Sequence, residues 1–583
     1  TDATKRVYEV KFVYNGEVKA TRYATNGQSI HGGMPTFTAK DLLGTGYNPH
    51  HYYAIAFEGG FSTATTVTAD RQVAISFTEK EAYEIASADD WKTFSDLVNG
   101  GQNAIDAKMT KDVDLGEDIA KVGTSSNPYG GTFDGQNHVL TVNWDAGSTN
   151  DVAPFGRVNG ATIKNLHTEG TIKSSGYYLA GLIDEAYGES NISDCVSNVH
   201  ITSTYADNRC DAGGLISFIS RNARVTITDC LVKGSINATM EKGKKGMGGF
   251  VSIQNGTCTF NNCLYLGTNN ATGGSNTFTY NATTNNCYYL NVCDVAQGTK
   301  VTLEQLKSGE VAYLLQNKRA GNFWGQELGK ENDPQPTDKA EKHVCKVDFT
   351  CNNQVKATRY ATKGKAIFGK MPALTPQFLL GSDYNSHHYY RYGFSEYFTA
   401  STPVNADRTV AINLVEKDYY EIASKDNWKE FSNIVYDGQN AVDAKMTADV
   451  DLGGNIKTIG DGVHKYSGTF DGQGHTLTLN WDAGTAHWKS PFYSVDGCTI
   501  NKLRVKGSIK SDGIGHAGLI QNAYGTVTIS GCTSDVDITC GYSSDACSAA
   551  GMIQWVGGKA KVTFTDCLVK GSINAKEAGR KGM

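Results

Sequence analysis

The residues with the most chemistry per position are two short clusters, His50-His51-Tyr52-Tyr53 and His387-His388-Tyr389-Tyr390. Imidazoles and phenols side by side could take up a metal, a proton or a ring-shaped ligand. Successive residues of a strand point to opposite faces, so two adjacent histidines do not converge on one ion. The pattern reads as a strand with one buried and one exposed face, and these eight residues form a candidate ligand surface.

Fourteen cysteines raise the question of disulfides or metal. Four of them, Cys195, Cys230, Cys263 and Cys287, follow an Asn or Asp, and Leu166 fills the same slot one phrase earlier. Leu503, Cys532 and Cys567 repeat the arrangement. A slot that accepts leucine or cysteine behaves as a core position. The reading is a structural ladder of stacked buried thiols, with bridges between neighbouring rungs as the alternative, since strand spacing falls within disulfide reach. Cys258 and Cys498 fall at a neighbouring inward position. Cys345 and Cys351 align with Tyr8 and Tyr14, which favours packing. Cys540 and Cys547 could close a local bridge, but Ser203 stands where the repeat places Cys540, so such a bridge is not a framework of the fold. None has the paired CxxC spacing of a zinc site.

Asp112 and Asp114, with Asp449 and Asp451, put two carboxylates on one strand face, as a calcium site does. The remaining oxygen ligands of such a loop are missing, and bonds to neighbouring backbone are the plainer use. For catalysis the chain offers no HExxH, no GxSxG and no GxxxxGK[ST]. Asp184-Glu185 is an acidic pair, but Gln521-Asn522 occupies the corresponding place, so a solvated turn is expected there. No cofactor is implied.

The elements that position these residues come from a duplication. GTFDGQNHVLTVNW begins at Gly131 and GTFDGQGHTLTLNW at Gly468. ATRYAT (20 and 357), HHYY (50 and 387), YEIAS (83 and 420) and DCLVKGSINA (229 and 566) recur at the same offset. Each unit opens with alternating strands, such as Val10, Phe12 and Tyr14 around a hairpin turn at Asn15-Gly16. A helix follows, capped by Ser87 with Trp91, Phe94 and Val98 on one face. Ser424, Trp428, Phe431 and Val435 repeat it. Then comes a finer repeat, TIKNLHTEGTI, NISDCVSNVHI, TITDCLVKGSI and TFNNCLYLG: a β-branched strand, an Asn/Asp corner, a buried Leu or Cys, and a second strand. Its period of roughly thirty residues suits the coils of a β-solenoid. TLEQLKSGEVAYLLQ reads as one helix capped by Thr302 and Gln305, with Leu303, Leu306, Val311 and Leu314 inward, covering the solenoid's open end. KENDPQPTDKAEKH reads as a semi-stiff spacer.

GTFDGQ, ATIKNL, AGLI, AGGLI and DCLVKGSI, in that order, resemble the GLUG-type β-helix modules of bacterial surface and secreted proteins. The opening segments, from VYEVKFVYNGEV to DRQVAISF and from VCKVDFTCNNQV to DRTVAINL, resemble the small β-grasp-like domains of the Listeria–Bacteroides repeat class. The fold expected is therefore mainly β, with tandem units of a small β-grasp-like domain followed by a right-handed parallel β-helix with short capping helices. The boundaries are 1–78 (β-grasp-like), 79–300 (capping helix and β-helix), 301–336 (C-terminal capping helix and linker), 337–415 (second β-grasp-like) and 416–583 (second helix and β-helix, truncated).

Composition bounds the rest. The 583 residues carry a formal charge of −6, with no dense Lys/Arg patch to hold nucleic acid, and no apolar run long enough to insert in a membrane. The opening TDATKRVYEV has no initiator Met or apolar leader, and the last residues break off a pattern that the first copy continues. Both features suggest a piece of a longer chain. The expectation is an extracellular or cell-surface bacterial protein, non-enzymatic, serving as adhesin, stalk or structural array. A glycan or a host or cell-surface protein is its expected partner, and self-association is possible. The alternatives are a β-helix carbohydrate-active enzyme, by fold analogy alone, and a self-assembling surface fibre.

Overall fold

A computed structural model describes residues 3–205, 211–239, 246–270, 275–541 and 548–575. The chain forms two compact units. One is Thr1–Val347 with Arg359–Lys370 and Ala400–Arg408, and the other is Asp348–Thr358, Met371–Thr399 and Thr409–Met583.

The first unit begins with a four-stranded sheet. Val7–Tyr14 pairs antiparallel with Glu17–Thr25 through a turn at Asn15 and Gly16, both with positive φ (47° and 81°), the combination that such two-residue hairpins demand. Val10–Val13 runs parallel to Arg71–Ala74, and Tyr52–Phe57 closes the far edge against Arg71–Lys80. Val10, Phe12 and Val73 are fully buried in its core. In the second unit Tyr389–Phe394 pairs antiparallel with Arg408–Lys417 in the same register, and Phe349 packs edge-on against Phe394 and Phe398.

The helix Ala88–Asn99 follows, with the Ser87 side chain accepting from Asp90 N–H. Trp91, Phe94 and Val98 are fully buried; Trp91 meets Phe133 and Phe155 at 5.7 Å each, so the helix seals the interior of the first coil. Lys425–Tyr436 does the same with Trp428, Phe470 and Phe492.

Beyond each helix the chain is β-helix-like, with successive coils stacked as parallel sheets. Among the described residues the larger of these have eight, ten and four strands in the first unit and six, six and three in the second. One interior column runs Phe133, Ile163, Ile192, Ile227, Phe260. Each fully buried aliphatic or aromatic side chain contributes about 1.5–3 kcal/mol, so the column carries the coil. The bends are made by Asn165, Asp194, Asp229, Asn262 and Asn286, with φ between 51° and 54°. Among side-chain-bearing residues, Asn and Asp tolerate this left-handed conformation best. Gly131, opening the first coil, passes so close to its neighbour that an added Cβ would lie 2.4 Å from the Ile105 carbonyl oxygen.

The segment after the last coil differs from the expectation. Gly309, at φ 88°, breaks the predicted helix into Leu303–Ser308, which has the Thr302–Gln305 capping box, and Glu310–Gln316. Leu303 is 60% exposed, and Leu315 is buried in its stead. The pair does not lie across the open end. Leu306, Val311 and Leu315 pack on Val196, Leu231, Leu264 and Tyr288, which form a small core separate from the coil interior. Those four follow the ladder residues directly and stack in register on the outer face, so the helices fasten successive coils along their flank. The expected spacer is also folded: Gly325 pairs with Gln335, Gln326 N–H bonds the Lys342 carbonyl at 2.8 Å, and Asp333 pairs with Lys233 at 2.9 Å. Of its charges, Asp333 makes the last of these contacts and Lys342 pairs with Glu331, while Asp338, Lys339 and Glu341 are exposed.

Candidate functional site

The His-His-Tyr-Tyr clusters sit in a turn leading into the strand, not wholly on it. His50 Nδ1 lies 3.1 Å from Asp106 Oδ1, while His51 Nδ1 lies 2.6 Å from Glu79 Oε1, which also accepts from Tyr53 Oη at 2.9 Å. Asp106 donates its backbone N–H to the His50 carbonyl and accepts Thr132 N–H at 2.6 Å. Tyr52 meets Tyr83 edge-on at 4.9 Å. The cluster therefore joins the small sheet to the first coils. His387–Asp443, His388–Glu416, Tyr390–Glu416 and Tyr389–Tyr420 repeat each contact in the second unit. His387 and His388 border a 520 Å³ cleft there with Asp418, Tyr419, Asp443 and Lys445. The phenols are turned to packing, and Tyr390 is buried. Bonding to His51 and Tyr53 holds Glu79 below the usual carboxylate range.

The ladder is a stack. Val196 N–H bonds the Leu166 carbonyl, Leu231 that of Cys195, Leu264 that of Cys230 and Tyr288 that of Cys263, all at 2.9–3.0 Å. Thr533 and Leu568 bond Leu503 and Cys532 likewise. Cys195, Cys230, Cys263 and Cys287 are buried free thiols, and Cys567 is partly exposed. Each Sγ donates to the carbonyl two residues back, Cys230 to Thr228 at 3.3 Å. Burial pushes the Cys230 thiol well above its ordinary range and Cys532 up to about 11. Cys540 is disulfide-bonded; Cys547, its expected partner, lies outside the described residues.

The aspartate pairs serve the backbone. Asp112 accepts Val139 N–H and contacts His138, and Asp114 accepts Gly116 N–H. Asp449 and Asp451 do the same with Thr476 and Gly453. Among the described residues no three His, Cys, Asp or Glu side chains are grouped to hold a metal ion.

Asp184 is the residue that sequence reasoning misplaced. It lies within the strand Ile183–Tyr187, not in a solvated turn, and is 1% exposed. Its Oδ1 accepts no hydrogen bond, which costs about 1–3 kcal/mol when such an acceptor is buried. Burial first, then the nearby Asp151 and Glu185, hold its carboxyl well above the usual carboxylate range. It lines a 460 Å³ pocket with Asp96, Lys121, Asp151, Gly156 and Arg157. Lys121 Nζ donates to the Asp151 carbonyl at 2.8 Å, and Arg157 Nε pairs with Glu185 at 3.0 Å. The available signal was the contrast between the repeats: Lys121, Asp151, Gly156 and Asp184 correspond to Thr458, Trp488, Tyr493 and Gln521.

No family model matches the chain, and no curated protein matches it. Among solved structures, the crystal structure of a putative immunoglobulin A1 protease from Bacteroides ovatus is similar at 15% identity and a TM-score of 0.32, over 44% of this chain and 93% of that one.

Proposed function

We propose that the chain is a non-enzymatic, extracellular tandem-repeat protein of a bacterial surface, acting as an adhesin, stalk or structural array. Each repeat is read as a β-grasp-like domain followed by a right-handed GLUG-type β-helix. The observation that carries this reading is the duplicated joint: His50–Asp106 and His387–Asp443 have the same partners at 3.1 and 3.0 Å. The most reactive-looking side chains are thus spent on joining a small sheet to a coil, twice. Repeating a joined module multiplies surface without a new fold, and repeated weak sites gain avidity on a repetitive partner such as a glycan.

A β-helix carbohydrate-active enzyme is the second reading, favoured by the buried Asp184 in its pocket, whose carboxyl burial pushes well above the usual carboxylate range. Against it, the adjacent Glu185 is engaged by Arg157. Glycan-array binding together with incubation on plant and mucin polysaccharides separates the two. Saturable binding without new reducing ends or unsaturated products is expected, and turnover would reverse the order. Concentration-dependent filament lengths in electron micrographs would favour a fibre subunit instead.

A further inference from the structure

Two nearly identical repeats diverge in the wall beside Gly156. The inward residues of the coil there are kept or exchanged conservatively: Phe155 and Ile183 correspond to Phe492 and Ile520, all fully buried. Of the pocket-lining residues, Lys92, Ser95, Ile119 and Gly123 recur as Lys429, Ser432, Ile456 and Gly460, but the rest differ. Where the first unit has Gly156 and Asp151, the second has Tyr493 and Trp488, and where the first has the buried Asp184 it has Gln521, whose Nε2 donates to Gln554 at 2.7 Å while its buried Oε1, like Asp184 Oδ1, accepts no bond. Maintaining a coil requires only the inward set. Opening a polar pocket at the outward set, in one unit, places a buried and unsatisfied acceptor at its floor, and an outside hydrogen-bond donor would satisfy it.

The lining selects the donor's chemistry. Lys92 and Lys121 stand against Asp96 and Asp151, and Arg157 is paired with Glu185. A bare cation would face the first pair and an anion the second, so the pocket is balanced against both. Ser95, Thr124 and Ser125 add hydroxyls, and the volume of 460 Å³ is that of a small-ligand site. We propose that this pocket binds a neutral sugar residue of a glycan, with Asp184 hydrogen-bonded to a hydroxyl at the floor and Lys121 and Asp151 at the mouth. The assignment rests on the reading of the chain as a glycan-binding adhesin and supplies that reading with a site.

The test uses the whole chain against a panel of neutral oligosaccharides of glucose, mannose, xylose, galactose and N-acetylglucosamine, with sialylated and uronate-bearing counterparts, read by saturation-transfer NMR and calorimetry. Two substitutions probe the site. Asp184→Leu removes the acceptor while keeping the same branched heavy-atom outline, and Asp151→Trp installs the residue that the second unit holds at a matching φ, 53° against 60°. The expected result is saturable binding of a neutral oligosaccharide that weakens at least tenfold in each variant, with Asp184→Leu melting no lower than the parent. Binding unaffected by either change overturns this site while leaving adhesion standing. Binding confined to the acidic sugars overturns the ligand class. No sugar bound by the parent chain removes both the site and the glycan reading beneath it.

Discussion

Arg319 grips Asp229 with both arms of its guanidinium, Nη1 to Oδ2 at 2.8 Å and Nη2 to Oδ1 at 2.7 Å, and the Trp324 indole N–H adds a third bond to the same carboxylate. Asp229 is a left-handed corner of the coil, only 2% exposed, and Arg319 lies just past the flank helices. This is the charged rivet that fixes those helices to the stack. Removing one member of a buried pair strands the other, typically at a cost of about 3–5 kcal/mol. Arg319→Met is therefore expected to lower the unfolding free energy of the first unit by that order, and Trp324→Phe by about 1 kcal/mol. Urea unfolding followed by tryptophan fluorescence measures both. A loss under 1 kcal/mol for Arg319→Met would mean that the apolar contacts alone hold the flank.

The neighbouring corner predicts a pH dependence. Burial, with Asp229 nearby, pushes the Asp194 carboxyl up to about 6, against the opposing pull of Arg319 and Lys164. The folded value lies above the unfolded one near 3.9, so the folded state binds the extra proton. Stability is therefore greatest below pH 4 as far as this group is concerned, and falls as pH rises from about 4 to about 6. Asp194→Asn keeps a residue suited to the left-handed corner, as Asn165 and Asn262 show. The variant should gain on the order of 1–2 kcal/mol at pH 7, discounted for partial solvent contact, and nothing at pH 3.5. Equal gains at both pH values would refute the assignment.

The joint makes a graded prediction. His50→Ala removes one contact of the Asp106 carboxylate, whereas Asp106→Ala also orphans the Thr132 N–H that it accepts. The expected losses are about 1 kcal/mol for the first and about 2 kcal/mol for the second. Hydrogen exchange at the Thr132 amide should quicken markedly only in Asp106→Ala. The reverse order would show that the histidine, rather than the aspartate, anchors the joint.

The coil was legible because its requirements are local. A left-handed bend selects Asn or Asp, the next residue falls inward, and strand alternation does the rest, so Asp229-Cys230 announces itself without tertiary knowledge. The role of His50 was not legible, since its partner Asp106 lies beyond three strands, a helix and a turn, and only folding brings them together. Asp184 was misplaced for a different reason: polar residues in IDEAY suggest exposure, but that strand is an inner one of its sheet, paired on its two sides with Phe155–Asn159 and Ile216–Ile219, and Asp184 is buried in it. Leu303 was assigned inward by extending one helical period through Gly309, where the helix axis resets.

The cysteine ladder carries the last prediction. Stacked free thiols with Sγ directed to carbonyls are closed to reagent, and burial keeps Cys230 from forming the reactive thiolate. Native protein treated with iodoacetamide at pH 8 should therefore leave Cys195, Cys230 and Cys263 unmodified, with Cys567 labelled first because it is partly exposed. In guanidinium all should react at the rate of ordinary thiols. Labelling of the three buried residues in native buffer should follow the opening of the coil and slow when Asp194→Asn stabilises it. Non-reducing peptide mapping supplies the contrary result: a linked Cys195–Cys230 peptide from freshly purified protein would replace the thiol column with a bridged one. The stack of carbonyl-bonded rungs would stand, but its covalent chemistry would not.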